Sequence, residues 1–370
     1  MSVVLTQMSD REYQMIASGQ MAPKMAAQYL KEERLQLRTF SSILRDMYPN
    51  DDLMLRLIQQ FQDDSPDANP RSVAKKIQNW INDKNRPTSR EEIFHIGFAL
   101  RLTVAQVNTL LGACTDYGIH YRDSLDVVYS WFLKNQKSFR EAQLFLESLP
   151  PLPAAEQLSY TAESKNVTRE LSSAFLQAKS QEELRECCLA NMALMGHLHF
   201  RSFHYFQKYL DQLIHPGTSW DGTQEPDYSI EAVMEYYLAM KMPSSRSRDG
   251  LTVIQKLLKQ NWPNSTVLKN IRLRKEDVPR KLLLLLYVVT ENAMDDDYDE
   301  MYEDYITPEE RLEDHWWTLN AILNDCGMAP LDPRNASDWL ILYSLAADDE
   351  PMSQRMEQVI EYMFSDSQIS

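Results

Sequence analysis

The chain has 370 residues, of which 44% are hydrophobic and 25% charged, as is usual for soluble globular proteins with room for two or three domains. Its 38 basic and 54 acidic residues give a formal net charge of −16, and its 9 glycines disfavour both turn-rich β architecture and glycine-rich phosphate-binding loops. Four cysteines without a Cys-x-x-Cys pair argue against a disulfide framework and predict a reduced, cytoplasmic protein.

Helix start signals recur along the chain, whereas no stretch alternates apolar and polar residues with a period of two. The sequence therefore predicts an all-α fold. The longest apolar run, residues 282–289, is too short for a bilayer that needs about 20 residues, and the first residues lack the features of a signal peptide, so we expect no membrane contact. Capping-box spacing, with Ser or Thr three residues before Glu or Gln, occurs in the pairs Thr88 and Glu91, Thr103 and Gln106, Ser138 and Glu141, Ser180 and Glu183, and Thr307 and Glu310.

Three helices are predicted within residues 25–81. One helix is predicted over residues 25–49 and another over residues 52–62. An acidic segment, DDSPDANP at residues 63–70, follows and leads into a further helix, RSVAKKIQNWI at residues 71–81.

The helix predicted over residues 71–81 has a basic polar face. Val73, Ile77 and Trp80 share one apolar face of this helix. From residue 71 to residue 90 there are six basic residues and one acidic residue, a local charge of +5, so the rest of the chain sums to about −21. The polar face opposite the apolar one consists of Ser72, Lys75, Lys76 and Asn79.

The same stretch resembles the recognition half of the phage-repressor (Cro-like) helix-turn-helix family, over roughly residues 20–112. Its basic helix ends in Trp80 and an Asn-containing turn, followed by basic residues and Pro87. The family joins its scanning and recognition helices by a turn of three or four residues, whereas this chain has the longer acidic segment 63–70. The next helix, PTSREEIFHIGFALRLTVAQVNTLL, matches the family pattern at Ser89, Ile96, Ala99, Leu100, Leu102, Thr103, Leu110 and Leu111.

The resemblance implies binding of double-stranded DNA by a dimer that reads two half-sites. Ser72 and Asn79 would face base edges in the major groove. Two other interpretations of the basic face stay open: it pairs with an acidic partner or with this chain's own acids, or it is a solvated surface. The residues that would contact phosphate are Lys75, Lys76, Lys84, Arg86 and Arg90.

A run of prolines predicts the domain boundary. Residues 113–149 predict two further helices that complete the first domain, and Pro150, Pro151 and Pro153 cannot propagate a helix. We therefore predict a helix-turn-helix domain with accessory helices over residues 1–149. A larger α-helical domain for sensing or oligomerisation is predicted over residues 154–370.

An acidic run, DDDYDEMYEDY, extends from Asp295 to Tyr305. It lacks the glycine and the final glutamate of a calcium-binding loop, because Glu300 and Ile306 occupy those positions. This strip is either a solvated segment or a docking surface for a basic protein partner. No nucleophile, phosphate-loop or His-Glu-x-x-His motif is found, so the sequence predicts no enzyme, no catalytic residue, no cofactor and no metal site.

Two functions are compatible with these features. The first is a sequence-specific DNA-binding transcriptional regulator of the repressor type, whose larger helical domain dimerises or senses another protein. The second is a non-enzymatic helical adaptor of a mobile-element or phage-defence system, which keeps the helix-turn-helix scaffold without binding DNA. The net charge of −16 and the acidic segment 63–70 favour the adaptor.

Overall fold

The computed structural model describes residues 6–152, 164–216, 226–244, 249–291, 307–347 and 350–365. Over these residues the regular structure is helical, apart from one isolated β-bridge between Tyr117 and Met328, and the predicted all-α fold is confirmed. Within the same residues, no helix combines the length and the apolar composition that crossing a membrane requires.

The chain forms two compact units, and neither is continuous in sequence. Unit 1 consists of residues 1–37, 199–326 and 330–370, and unit 2 of residues 38–198 and 327–329. This division differs from the predicted domains 1–149 and 154–370, which remain a prediction.

Unit 1 contains the first two helices of the chain together with all helices after residue 198. Its helices are α1 (Gln7–Ala17), α2 (Pro23–Lys31), α12 (Phe200–Ile214), α13 (Ile230–Val233), which continues into a π-helical turn (Met234–Leu238), α14 (Val253–Lys259), α15 (Ser265–Arg272), α16 (Arg280–Glu291), α17 (Pro308–Asp325), α18 (Ala336–Leu345) and α19 (Met352–Phe364).

Unit 2 contains the segment that resembles the repressor family and the helices that follow it. Its helices are α3 (Phe40–Met47), α4 (Leu53–Asp64), α5 (Pro70–Ile81), α6 (Arg90–Leu100), α7 (Val104–Thr115), α8 (Ser124–Lys134), α9 (Phe139–Glu147), α10 (Ser164–Gln177) and α11 (Gln181–Ala190), followed by a 3₁₀ turn (Met192–Leu194).

Buried polar contacts explain why the N-terminal helices belong to unit 1. The Tyr29 ring of α2 stacks on the Trp339 ring of α18 with a centroid distance of 5.6 Å. Both side chains donate hydrogen bonds to the buried carboxylate of Glu12 in α1, from the Tyr29 hydroxyl at 2.9 Å and from the Trp339 Nε1 at 3.3 Å.

In unit 2, α10 and its C-terminal end are held against α8 by the Trp131 Nε1, which donates to the Ala178 carbonyl at 2.8 Å.

The prediction of one helix over residues 25–49 is wrong, because α2 ends at Lys31 and α3 begins at Phe40. Glu33 adopts a left-handed conformation with φ of 54°, and the Arg34 N–H bonds back to the Tyr29 carbonyl at 3.1 Å, which closes the end of α2. The side chain of Thr39 then starts α3 by accepting a hydrogen bond from the Ser42 N–H.

Most of the predicted helix starts are confirmed. Thr103, Ser138 and Thr307 each form a full capping box with the residue three positions later. The Ser180 side chain accepts the Glu183 N–H, as predicted for a cap. The start predicted at Thr88 is wrong, because Ser89 is the N-cap of α6 and makes no side-chain cap bond.

An ion pair with a buried carboxylate ties three parts of unit 2 together. Arg90, the first residue of α6, is paired with Asp126 of α8, and its Nε donates to the Asp126 Oδ1 at 2.9 Å. The terminal nitrogens of Arg90 also donate to the Tyr117 carbonyl at 3.2 Å and to the Gly118 carbonyl at 2.6 Å. Asp126 is fully buried and accepts a further bond from the His120 N–H at 2.7 Å. The pair therefore fixes the start of α6, the start of α8 and the loop before α8.

Unit 1 contains an ion pair of the same kind. Arg280, the first residue of α16, donates to both carboxylate oxygens of Asp338 in α18, at 2.6 and 2.9 Å. Its guanidinium also donates to the Pro330 carbonyl at 3.0 Å, and Asp338 accepts the Asp332 N–H at 2.9 Å. Both charged side chains are buried.

We expect D338A to lower the free energy of unfolding of its unit by about 3–5 kcal/mol, because it leaves the buried Arg280 guanidinium without its carboxylate. D126A should cost less, because the Arg90 side chain is 26% exposed to water. Urea denaturation of the full chain, followed by circular dichroism, measures the loss. D63A, which removes an exposed carboxylate of α4, is the matched control. A loss below about 1 kcal/mol at both sites would contradict the structural role of the pairs.

Candidate nucleic-acid interface

Helix α5 presents the basic face predicted from the sequence. The Asn69 side chain caps its start by accepting the Arg71 N–H, and Pro70 occupies the first turn. Ile77, Trp80 and Ile81 are buried in the core of unit 2. The polar face carries Ser72, Lys75 and Lys76, which are exposed, and Asn79, which is half-buried.

The turn after α5 is anchored so that Lys84 lies at the surface. Asp83 adopts a left-handed conformation with φ of 52°, and the Lys84 N–H bonds back to the Asn79 carbonyl at 2.9 Å. The Asp83 carboxylate accepts bonds from the Ser41 N–H at 3.0 Å and from the Ser41 hydroxyl at 2.6 Å, at the start of α3. The one acidic residue of the basic stretch is therefore bound within the unit, while Lys84 is exposed.

Lys76 is exposed but already paired. Its ammonium forms a salt bridge with Glu92 of α6 and lies 5.2 Å from the centroid of the Trp80 ring. The pair reduces the charge that Lys76 presents to an outside ligand. The sequence did not show this contact, because Glu92 lies on the next helix of the unit.

Two arginines assigned to phosphate contact are used inside the unit. The Arg90 guanidinium is occupied by Asp126, by the Thr115 hydroxyl and by backbone carbonyls, so we remove Arg90 from the candidate surface. Arg86 is exposed, but one of its terminal nitrogens donates to the Ala113 carbonyl at 3.3 Å. This contact tethers Arg86 to the end of α7.

The cations that remain define the α5 surface, which consists of Arg71, Lys75 and Lys84 with the polar residues Ser72 and Asn79. No salt bridge involves these three cations among the described parts of the chain, and all three are exposed. The predicted set did not include Arg71. Its place in the first turn of α5 gives it the same solvent access as Lys75.

One of the three aspartates in the acidic segment before α5 is bound inside unit 2, whereas Asp63 and Asp67 are exposed. Helix α4 extends to Asp64, whose carboxylate lies 2.8 Å from the Nε2 of His95 in α6. The His95 ring is sandwiched between the rings of Phe61 and Phe139, with centroid distances of 3.7 and 4.0 Å. Burial by itself raises the pKa of Asp64, but hydrogen bonds with His95 and Gln60 outweigh it, and the pKa lies below its ordinary value.

We expect D64N to lower the free energy of unfolding at pH 7 by about 1.5–3 kcal/mol, because a charged hydrogen-bond acceptor is lost. A carboxylate whose pKa is lowered by folding stabilises the protein above its unfolded pKa of about 3.9 and loses that contribution as the pH falls through the folded value. The difference between wild type and D64N should therefore shrink below about pH 4, as urea denaturation at several pH values will show. D63N is the matched control, and an equal loss in D63N would refute this role for Asp64.

The described residues contain no cluster of three His, Cys, Asp or Glu that could hold a metal ion. The four cysteines are free thiols. The acidic strip from Asp295 to Tyr305 lies outside the described residues.

Comparisons of the chain with protein-family models, with curated proteins and with solved structures found no match. The functional interpretation therefore rests on the chain's own residues.

Proposed function

We propose that this protein binds double-stranded DNA through the α5 surface and acts as a transcriptional regulator of the repressor type. The observation that carries the proposal is the local excess of positive charge on an acidic chain. Arg71, Lys75 and Lys84 are exposed on one helix and its capping turn, while the carboxylates of the nearby Asp64 and Asp83 are engaged by His95 and Ser41.

Each residue of the α5 surface has a defined role in this proposal. Arg71, Lys75 and Lys84 neutralise phosphates, and Ser72 and Asn79 reach base edges in the major groove. Three phosphate contacts give a log–log slope of affinity against salt of about −2.7, since each contributes about −0.9. The dimer implied by the repressor resemblance remains part of this proposal.

We expect K75A/K84A to weaken binding to random-sequence duplex DNA and to reduce the size of the salt slope by about 2. Fluorescence anisotropy with a labelled duplex at 50–200 mM salt measures both quantities. The control is K76A, which removes a lysine of the same helix that is paired with Glu92 and should change the slope less. Equal effects of K76A and K75A/K84A would reject our assignment of the α5 surface.

We expect E92Q to strengthen DNA binding, because it frees the Lys76 ammonium to contact phosphate. The salt slope should grow by about 1 in size, and K76A placed in the E92Q background should return it to the wild-type value. Unchanged affinity in E92Q would show that Lys76 does not face the DNA.

A protein-binding adaptor is the second candidate, and one observation favours it. Leu55 and Met54 of α4 are 66% and 43% exposed, and large apolar side chains at the surface are typical of protein contacts. Selection of bound fragments from random duplex DNA separates the two functions. A palindromic consensus supports the regulator, and the absence of enrichment, together with no retention on heparin at low salt, supports the adaptor.

A further inference from the structure

The two units contain the same structural motif. In each, an arginine at the first residue of a helix pairs with a buried aspartate in the first turn of a later helix, as Arg90 does with Asp126 and Arg280 with Asp338. The same backbone contacts recur around both pairs, because the N–H six residues before each aspartate donates to its carboxylate.

An asparagine supports the loop before the aspartate in both units. The Asn108 Oδ1 accepts the Ile119 N–H at 2.8 Å, and the Asn320 Oδ1 accepts the Leu331 N–H at 2.8 Å. Equivalent residues keep a constant offset of 212 positions across this region, as in Leu110 and Ile322, Leu111 and Leu323, Cys114 and Cys326, Arg122 and Arg334, Asp123 and Asn335, and Asp126 and Asp338. Helices α7 and α8 of unit 2 therefore correspond to α17 and α18 of unit 1.

The correspondence extends backwards to the DNA-binding candidate. Helix α15 begins after Asn264, whose side chain caps it as Asn69 caps α5. At its end the Lys275 N–H bonds to the Asn270 carbonyl at 2.9 Å, which reproduces the bond of the same length from Lys84 to Asn79. Arg274, like Asp83, precedes that lysine in a left-handed conformation, with φ of 54°. Helix α15 is therefore the counterpart of α5.

The stretch around α15 resembles the stretch around α5 in its basic composition as well as in its backbone. Residues 264–281 contain six basic and two acidic residues. Both acids are bound locally, because Glu276 accepts a bond from the Asn270 side chain at 2.7 Å and Asp277 accepts the His199 N–H at 2.7 Å.

The six cations of this stretch divide into bound and exposed groups, as they do around α5. Lys269 pairs with Glu231, Arg274 packs over the Phe203 ring, and Arg280 and Lys281 bind groups inside unit 1. Arg272 and Lys275 are exposed, and no salt bridge involves them within the described ranges. Lys275 thus occupies the position in unit 1 that Lys84 occupies in unit 2.

We propose that Arg272 and Lys275 form a second phosphate-binding surface for double-stranded DNA, so that one chain carries two DNA-contacting helices. The proposal rests on the function proposed for α5. It assigns to a single chain the two modules that a repressor dimer obtains from two subunits.

The test compares three variants of the full chain: R272A/K275A, K75A/K84A and the combination of all four substitutions. Binding of a labelled random-sequence 20-base-pair duplex is measured by anisotropy for the salt slope and by analytical ultracentrifugation for the number of duplexes per chain. We expect R272A/K275A to reduce the size of the slope by about 2 or, where the surfaces take separate duplexes, to reduce the duplexes per chain from two to one. The fourfold variant should keep only the contribution of Arg71, a slope of about −0.9.

Two controls separate charge from folding. K24A/K208A removes the same charge from exposed residues of α2 and α12, and it should bind like wild type. R272K/K275R keeps both charges and should restore binding, which a merely misfolded variant would not show.

The two proposals fail in different ways. If R272A/K275A binds like K24A/K208A while K75A/K84A is weakened, the α15 surface is refuted and the α5 surface stands. If the wild-type chain shows no salt-dependent binding to the duplex, both proposals are overturned.

Discussion

The pairing of an arginine with a buried aspartate is the interaction on which the arrangement of each unit depends. Moving a charged side chain out of water is costly unless its partner and further hydrogen bonds replace the lost hydration. Arg90 and Arg280 meet that condition by bonding a buried carboxylate and at least one backbone carbonyl. In each unit this requirement fixes the start of the helix that carries the arginine, the start of the helix that carries the aspartate, and the loop before the aspartate. It also determines which arginines cannot serve as ligands for an outside anion.

The features of the site that could be predicted are those that depend on local sequence, and the others depend on contacts between residues distant in sequence. The apolar face of α5 follows from helical periodicity, so the exposure of Ser72 and Lys75 was foreseeable. The partners of Lys76 and Arg90 lie 16 and 36 residues further along the chain, and local sequence patterns do not reveal them. The number of basic residues in the sequence is therefore larger than the number of cations available to an outside ligand. The basic residues nevertheless identify the helix on which the exposed cations lie.

The fold was more predictable than its division into units. Capping residues such as Thr103, Ser138 and Thr307 identify helix starts because each satisfies backbone donors locally. The association of α1 and α2 with α18 depends on contacts across more than 300 residues, such as that between Glu12 and Trp339. No local rule predicts such contacts. The repeated motif was present in the sequence, but a search for one fixed short period misses two copies separated by about two hundred residues.

The two copies of the motif differ in length. The offset between the two copies is 190 residues at Arg90 and Arg280 but 212 at Asn108 and Asn320, so the second copy is 22 residues longer between those points. The acidic run from Asp295 to Tyr305 falls within that longer stretch. The ion pair is thus compatible with a segment of very different length between its helices, because the two copies keep the same Arg–Asp contact although one of them contains 22 more residues.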